Sequence, residues 1–167
     1  MRARRRGILL EAKIQELGKL KKIISGFKKS RKKIVFTNGC FDLLHFGHVK
    51  YLKDAKAKGD ILVVGVNSDA SVKKIKGEKR PIVKQSDRIR VIAALESVDF
   101  AVLFAEETPI KVIKAIRPDI LVKGADWNRN EIVGSDFVQS YSGKVLRIKL
   151  VKGHSTTDLI KKIAKVQ

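Results

Sequence analysis

Two rhythms of apolar positions alternate along this chain. Short, nearly continuous apolar runs lie at about Lys32 to Thr37, Ile61 to Val66, Val98 to Phe104, Asp119 to Lys123 and Lys144 to Ile148. They predict five strands, and their continuity predicts burial on both faces of a parallel sheet. Between them apolar residues return every three or four positions, which predicts helices. One runs from Gly47 to about Lys58 and closes at Gly59. A second begins at Ser86-Asp87-Arg88 and turns Ile89, Ile92, Ala93 and Leu95 inward. A third follows Thr108-Pro109, with the Thr108 hydroxyl as its cap, carries Ile110, Val112, Ile113 and Ile116, and stops at Arg117-Pro118. A fourth is expected near Glu131 to Ser140 and a last from about Thr156 to Lys165. Ahead of the first strand, Leu10, Ile14, Leu17, Leu20, Ile23, Ile24 and Phe27 predict one helix packed across the domain, with a dimer contact or a linker as the sharper alternatives. Ser71 to Ile82 has weak periodicity and dense positive charge, and reads as a helical turn followed by a mobile loop.

This alternation gives the fold class: α/β, a Rossmann-like doubly wound five-stranded parallel sheet with helices on both faces, plus an N-terminal helix. Residues 1–30 read as a basic leader, with a basic arm at Arg2 to Arg6, and an amphipathic helix; 31–167 form the main domain. At 167 residues and 44% hydrophobic content, one core is enough. No apolar run is long enough to cross a bilayer, and the first residues lack a signal peptide's apolar segment, so a cytoplasmic protein with no membrane partner is expected. The net charge of +20 favours anionic ligands. It also admits a rival class, a basic nucleic-acid-binding module. The lysines are spread along the whole chain and no aromatic ladder accompanies them, so no nucleic-acid partner is expected.

Chemistry concentrates between Lys33 and His48. A strand there feeds a loop, Thr37-Asn38-Gly39-Cys40-Phe41-Asp42, and then His45-Phe46-Gly47-His48 where a helix begins. The first strand of a doubly wound sheet delivers its loop to the crevice at the carboxyl ends of the strands, where N–H groups and a helix N-terminus favour anions. Imidazoles donate to phosphoryl oxygens, and Gly47 admits a ligand close to the backbone. Zinc is the weaker reading of the histidine pair, because no further ligand but Asp42 stands nearby. Cys40 is the chain's single cysteine, which excludes a disulfide framework, and a thiol role is disfavoured because no base or resolving cysteine accompanies it. Three other segments are expected at the same edge: Lys73 to Arg80, Lys123 to Trp127 and His154 to Thr157. Ser155-Thr156-Thr157 offers more hydroxyls than one helix cap requires, which favours phosphate contact. Lys74, Lys76, Lys79 and Arg80 are individually surface charges, but on a flexible loop above the crevice at least one or two are expected to close on substrate phosphates.

The histidine motif and the Ser-Thr-Thr run together resemble the cytidylyltransferase-like nucleotidyltransferase superfamily, with its HxGH motif. Val66 to Gly77, Arg80-Pro81 and Arg117 to Trp127 narrow the resemblance to the adenylyltransferases of D-glycero-β-D-manno-heptose 1-phosphate. The resemblance covers roughly Lys32 to Lys162. It implies transfer of AMP from ATP, with Mg²⁺, to the sugar phosphate, giving ADP-heptose, a lipopolysaccharide core precursor, and pyrophosphate. It implies that His45 and His48 stabilise the transferring α-phosphoryl group, with Lys76 assisting. Thr37, Asn38, Gly39, Cys40, Phe41 and Gly47 would line the nucleotide cleft, Asp126 and Trp127 would lie near base and ribose, and Ser155 and Thr156 would hold the β- and γ-phosphates. Lys74, Arg88 and Lys123 would serve substrate phosphate. No protein-bound metal cage, a homodimer and a heptose kinase on a separate protein are further implications. The alternative relative is glycerol-3-phosphate cytidylyltransferase. Its Arg-Thr-Glu-Gly-Ile before the Ser-Thr-Thr is replaced here by Leu150 to His154, without the arginine, which weakens a CTP assignment.

Overall fold

The structure, a computed structural model, describes residues 9–128 and 131–166; the basic arm at Arg2 to Arg6 lies outside them. In chain order the elements are α1 (Leu10–Lys13), α2 (Leu17–Lys29), β1 (Ile34–Gly39), α3 (Phe46–Lys56), β2 (Ile61–Asn67), α4 (Asp69–Lys76), α5 (Gln85–Ala94), β3 (Phe100–Phe104), α6 (Ile110–Ile116), β4 (Ile120–Gly124), α7 (Ser135–Gln139), β5 (Lys144–Ile148) and α8 (Thr156–Ala164). The five strands form one sheet in the order β3-β2-β1-β4-β5, and every pairing is parallel. This is the expected doubly wound class.

Successive residues of a strand face opposite sides, and β1 shows the consequence. Val35 enters one core with Leu52, Ala55, Val64, Ile89 and Ile92. Ile34 and Phe36 enter the other with Leu20, Ile24, Val63, Val112, Ile113 and Val138. Thus α1, α3 and α5 cover one face of the sheet, and α2, α6 and α7 the other. Three carboxylates tie down the amino ends of the strands: Asp60 accepts from Lys33 N, Asp119 from Ile34 N, and Asp99 from Leu62 N and Lys56 Nζ. These three acidic groups therefore lie at the edge opposite the crevice.

Four boundaries differ from the sequence reading. The single N-terminal helix is two, because Ile14 bridges Ala101 of the edge strand β3 and Gln15 N donates to Ala101 O at 3.0 Å. Those bonds finish an otherwise open strand edge, and the helical spacing of Ile14 disguised them. Thr108 does not cap α6; Pro109 holds the cap position and no side chain bonds there. The helix expected over Glu131 to Ser140 shrinks to α7, since Gly134 at φ +86° lies outside helical space. The stretch after α4 is anchored rather than loose: Asp42 accepts from Arg80 Nε at 2.6 Å, Ile82 N at 2.9 Å and Val83 N at 2.8 Å.

Candidate functional site

The crevice opens where the strand order reverses. β1 pairs with β2 as far as Gly39, and β4 pairs with β5 as far as Gly124, but β1 and β4 pair only at Val35–Ile120 and Phe36–Leu121. Beyond those residues the two strands part, so Asn38 and Lys123 face an opening in the sheet. Lys123 Nζ donates to Asn38 Oδ1 at 2.6 Å across it, and the ammonium lies 5.4 Å from the Trp127 ring centroid. Lys123 is buried, and burial lowers its pKa to about 8 against the pull of Cys40 and Asp126, which raise it. A cation in that position is short of negative charge, and an anionic ligand would supply it.

The β1–α3 loop forms one wall. His45 is the N-cap of α3 and makes no side-chain cap bond, which leaves the leading N–H groups of the helix for a ligand. His45 and His48 stack with centroids 3.9 Å apart, and Phe41 meets His48 edge-on at 5.5 Å. Their Nδ1 atoms are buried without partners, so Nε2 is the nitrogen that a ligand can reach on each ring. Burial lowers the pKa of His48 to about 4, with His45 contributing; burial and then His154 lower that of His45. Both rings are therefore neutral at pH 7, donors without charge until an anion arrives. Gly47 is required for close approach: a Cβ there would fall 2.9 Å from His45 Cε1 and 3.1 Å from His154 Cβ. Gly39 lies beneath the Phe41 ring, where a Cβ would fall 3.1 Å from two ring carbons. Cys40 is a partly buried thiol whose pKa burial raises, against Lys76, Arg88 and Arg80, which lower it, so it is not poised as a thiolate.

Several residues take places that the sequence did not indicate. Arg88 is buried, and its guanidinium donates to Cys40 O at 2.5 Å, Val83 O at 2.9 Å and Asp69 Oδ1 at 2.8 Å. It holds the β1 loop and the start of α4 in place instead of facing a substrate phosphate. The Thr37 hydroxyl is fully buried and shares a 2.7 Å hydrogen bond with the Tyr51 hydroxyl, so it braces α3 rather than lining the cleft. Lys74 lies on the exposed side of α4, 3.8 Å from Glu107. Lys76 is exposed yet close enough to act on the Cys40 thiol. Trp127 is half-exposed at the opening, and the Asp126 carboxylate folds back over Gly124. Ser155 is the N-cap of α8, accepting from Asp158 N at 3.0 Å and donating to Asp158 Oδ2 at 2.7 Å; Thr156 follows it.

Tyr51 escapes the sequence reading as part of this site, and Asp42 and His154 lie inside segments expected at the crevice without a role of their own assigned. Asp42 was considered only as a metal ligand. Burial raises its pKa, but the Val83 and Ile82 N–H groups and Arg80 outweigh that and hold the carboxyl below its usual range. Tyr51, on the buried side of α3, carries no sequence signal for its bond to Thr37.

Known proteins are similar to this chain. The model of a family described as cytidylyltransferase-like matches residues 36–162. The chain is 52% identical over 153 residues to the bifunctional protein HldE of Geobacter metallireducens, covering 92% of this chain and 31% of that one. It is 53% identical over 157 residues to the bifunctional protein HldE of Campylobacter concisus, covering 94% and 32%. The chain thus spans about a third of the length of these curated relatives. A lipopolysaccharide core biosynthesis protein from Thermoplasma volcanium superposes with a TM-score of 0.60 at 32% identity, over 74% of this chain and 99% of that one. A pantoate-beta-alanine ligase from Francisella tularensis, at 16% identity and a TM-score of 0.61 over 92% of this chain and 76% of that one, shares the fold.

Proposed function

Because the chain belongs to the cytidylyltransferase-like family, we propose that it is an adenylyltransferase that moves AMP from ATP to D-glycero-β-D-manno-heptose 1-phosphate, releasing pyrophosphate and ADP-heptose. The observation that carries this reading is the opening between β1 and β4, where the buried Lys123 ammonium and the stacked His45–His48 pair face ligand space from neighbouring strand ends. A phosphate oxygen of the sugar phosphate forms the new bond to the α-phosphorus, and the bond from that phosphorus to the oxygen bridging to the β-phosphate breaks. The attacking oxygen is already anionic at neutral pH, so no general base is needed, and catalysis reduces to orientation and charge stabilisation.

Within this scheme the Nε2–H groups of His45 and His48 donate to the α-phosphoryl oxygens. Negative charge beside the rings favours their protonated forms, so the depressed imidazole pKa values rise as the triphosphate binds. Lys123, held at the opening by Asn38, neutralises the acceptor phosphate, and Lys76 adds a mobile cation from the end of α4. Gly39, Cys40 and Phe41 line the nucleotide cleft with Asp126 and Trp127, and Ser155 and Thr156 turn the N-terminus of α8 toward the triphosphate tail. Among the described residues no group of three or more His, Cys, Asp or Glu side chains could hold a metal ion. An Mg²⁺ bound mainly by phosphate and water fits this donor set, and it would supply charge neutralisation on the triphosphate.

The test is a panel of ATP, CTP, GTP and UTP against heptose 1-phosphate, glucose 1-phosphate and glycerol 3-phosphate, scored by pyrophosphate release. ATP with heptose 1-phosphate is expected to give the highest kcat/KM. Preference for CTP with glycerol 3-phosphate would replace this reading with a polyol-phosphate cytidylyltransferase.

A further inference from the structure

We propose that His154 is a third imidazole of the phosphate site, acting from the α8 wall on the pyrophosphate end of the triphosphate; this rests on the nucleotidyl-transfer reading above. The rings Phe41, His48, His45 and His154 form a row, with successive centroid separations of 5.5, 3.9 and 6.3 Å. A row suits an extended chain of phosphates better than it suits a single ion. If His48 and His45 serve the phosphoryl group nearest the split, His154, at the far end, falls beside the departing phosphates.

The geometry also fixes how this ring is presented. Phe46 meets it edge-on at 5.7 Å, and the missing Cβ of Gly47 lets the α3 start approach the His154 side chain closely at its Cβ. His154 Nδ1 lies 3.1 Å from the Lys152 carbonyl, so Nδ1 carries the proton and donates to that oxygen. Nε2 is left for a ligand: it donates to a phosphate oxygen in the imidazolium form and accepts from a protonated phosphate or water in the neutral form. His154 is exposed and makes no other side-chain hydrogen bond among the described residues. Its neighbour Ser155, by contrast, is occupied by Asp158.

The probes are inorganic pyrophosphate and tripolyphosphate, titrated calorimetrically into the full chain and its His154→Phe and His154→Lys variants. Phenylalanine keeps the edge-on packing against Phe46 and removes the donor, whereas lysine restores a cationic donor. His154→Phe is expected to weaken both anions about tenfold, the worth of one hydrogen bond to a charged group, and His154→Lys to recover most of it. In turnover, His154→Phe should raise KM for ATP, and for pyrophosphate in the reverse reaction, while KM for the sugar phosphate stays within about twofold. Unchanged anion binding in His154→Phe, or wild-type protein that binds neither anion, overturns the proposal whatever the turnover assay gives. Anion binding that falls in His154→Phe while the wild type releases no pyrophosphate from any substrate pair supports the site and overturns the nucleotidyl-transfer reading instead.

Discussion

The two walls of the crevice are built by opposite means. The β1–α3 wall is held by buried charges reaching across the chain: the Asp42 side chain is 1% exposed and the Arg88 side chain 0%, and their partners lie up to 48 positions away in sequence. The α8 wall is held by a local cap. Ser155 and Asp158 bond each other over three residues, α8 has no buried residue, and Ile163 and Val166 are 58% and 87% exposed. Donors on the first wall are therefore preorganised, which is what charge stabilisation in a transition state needs. Donors on the second are positioned by few contacts, which under the proposed function would suit groups that grip and then release a departing polyphosphate. The His154 Cβ against Gly47 is a point where the walls touch.

Breaking a tie of the first wall should have the largest effect. Arg88→Met leaves the carbonyls of Cys40 and Val83 and the carboxylate of Asp69 without their donor, so urea unfolding should show a loss of about 3–5 kcal/mol. A loss below about 1 kcal/mol would mean that this wall is no better tied than the other. His48→Ala comes next. The variant should fold with the wild-type circular dichroism spectrum yet lose about a hundredfold or more in kcat, as when one preorganised donor is removed. Near-normal pyrophosphate release by the folded variant would detach the histidine pair from the chemistry. Ser155→Ala should cost about 1 kcal/mol of helix stability, confined to α8. Amide exchange read residue by residue would then speed up in Leu159 to Ala164 while the β1 to β4 protection is unchanged; a matching loss in the sheet would show that the walls are not independent.

The same contrast explains what could be read from the sequence. The order of strands and helices follows from periodicity, and the two ends of the proposed site, His45 to His48 and Ser155-Thr156, are each marked by motifs a few residues long. Both are local signals. Arg88 and Thr37 were misplaced because their roles depend on distant partners, Cys40 O and Asp69 for one and Tyr51 for the other. Asp42 fixes a loop about forty residues downstream, and no spacing rule announces such a pairing. Lys123 was recognisable as a basic residue after a strand. That it stands where β1 and β4 separate is a property of the sheet register, which pattern alone does not contain.

The smallest expected effect is a dependence of stability on pH that belongs to the first wall alone. Burial holds His48 at about 4 in the folded chain, against 6.5 as the ordinary value. Between those values the unfolded chain binds the extra proton and the folded chain does not, so stability from this group is complete above about pH 6.5 and falls as the pH drops toward 4. At pH 6 the deficit is under about 1 kcal/mol and grows on further acidification. His48→Gln removes the titration and keeps a donor of similar reach. Urea midpoints measured from pH 7 to pH 4.5 should therefore fall more steeply in the wild type than in His48→Gln. His45, whose pKa is lowered in the same sense, is present in both chains and largely cancels in the difference. Asp42, held below the ordinary carboxylate value, yields only at lower pH, outside this window. Parallel slopes for the two proteins would show that His48 is solvated in the free state, and the first wall would then lose its claim to a dry, preorganised donor. A saturating non-hydrolysable ATP analogue should shift the wild-type curve toward lower pH, because phosphate charge raises the imidazole pKa and turns protonation from a cost into a part of binding.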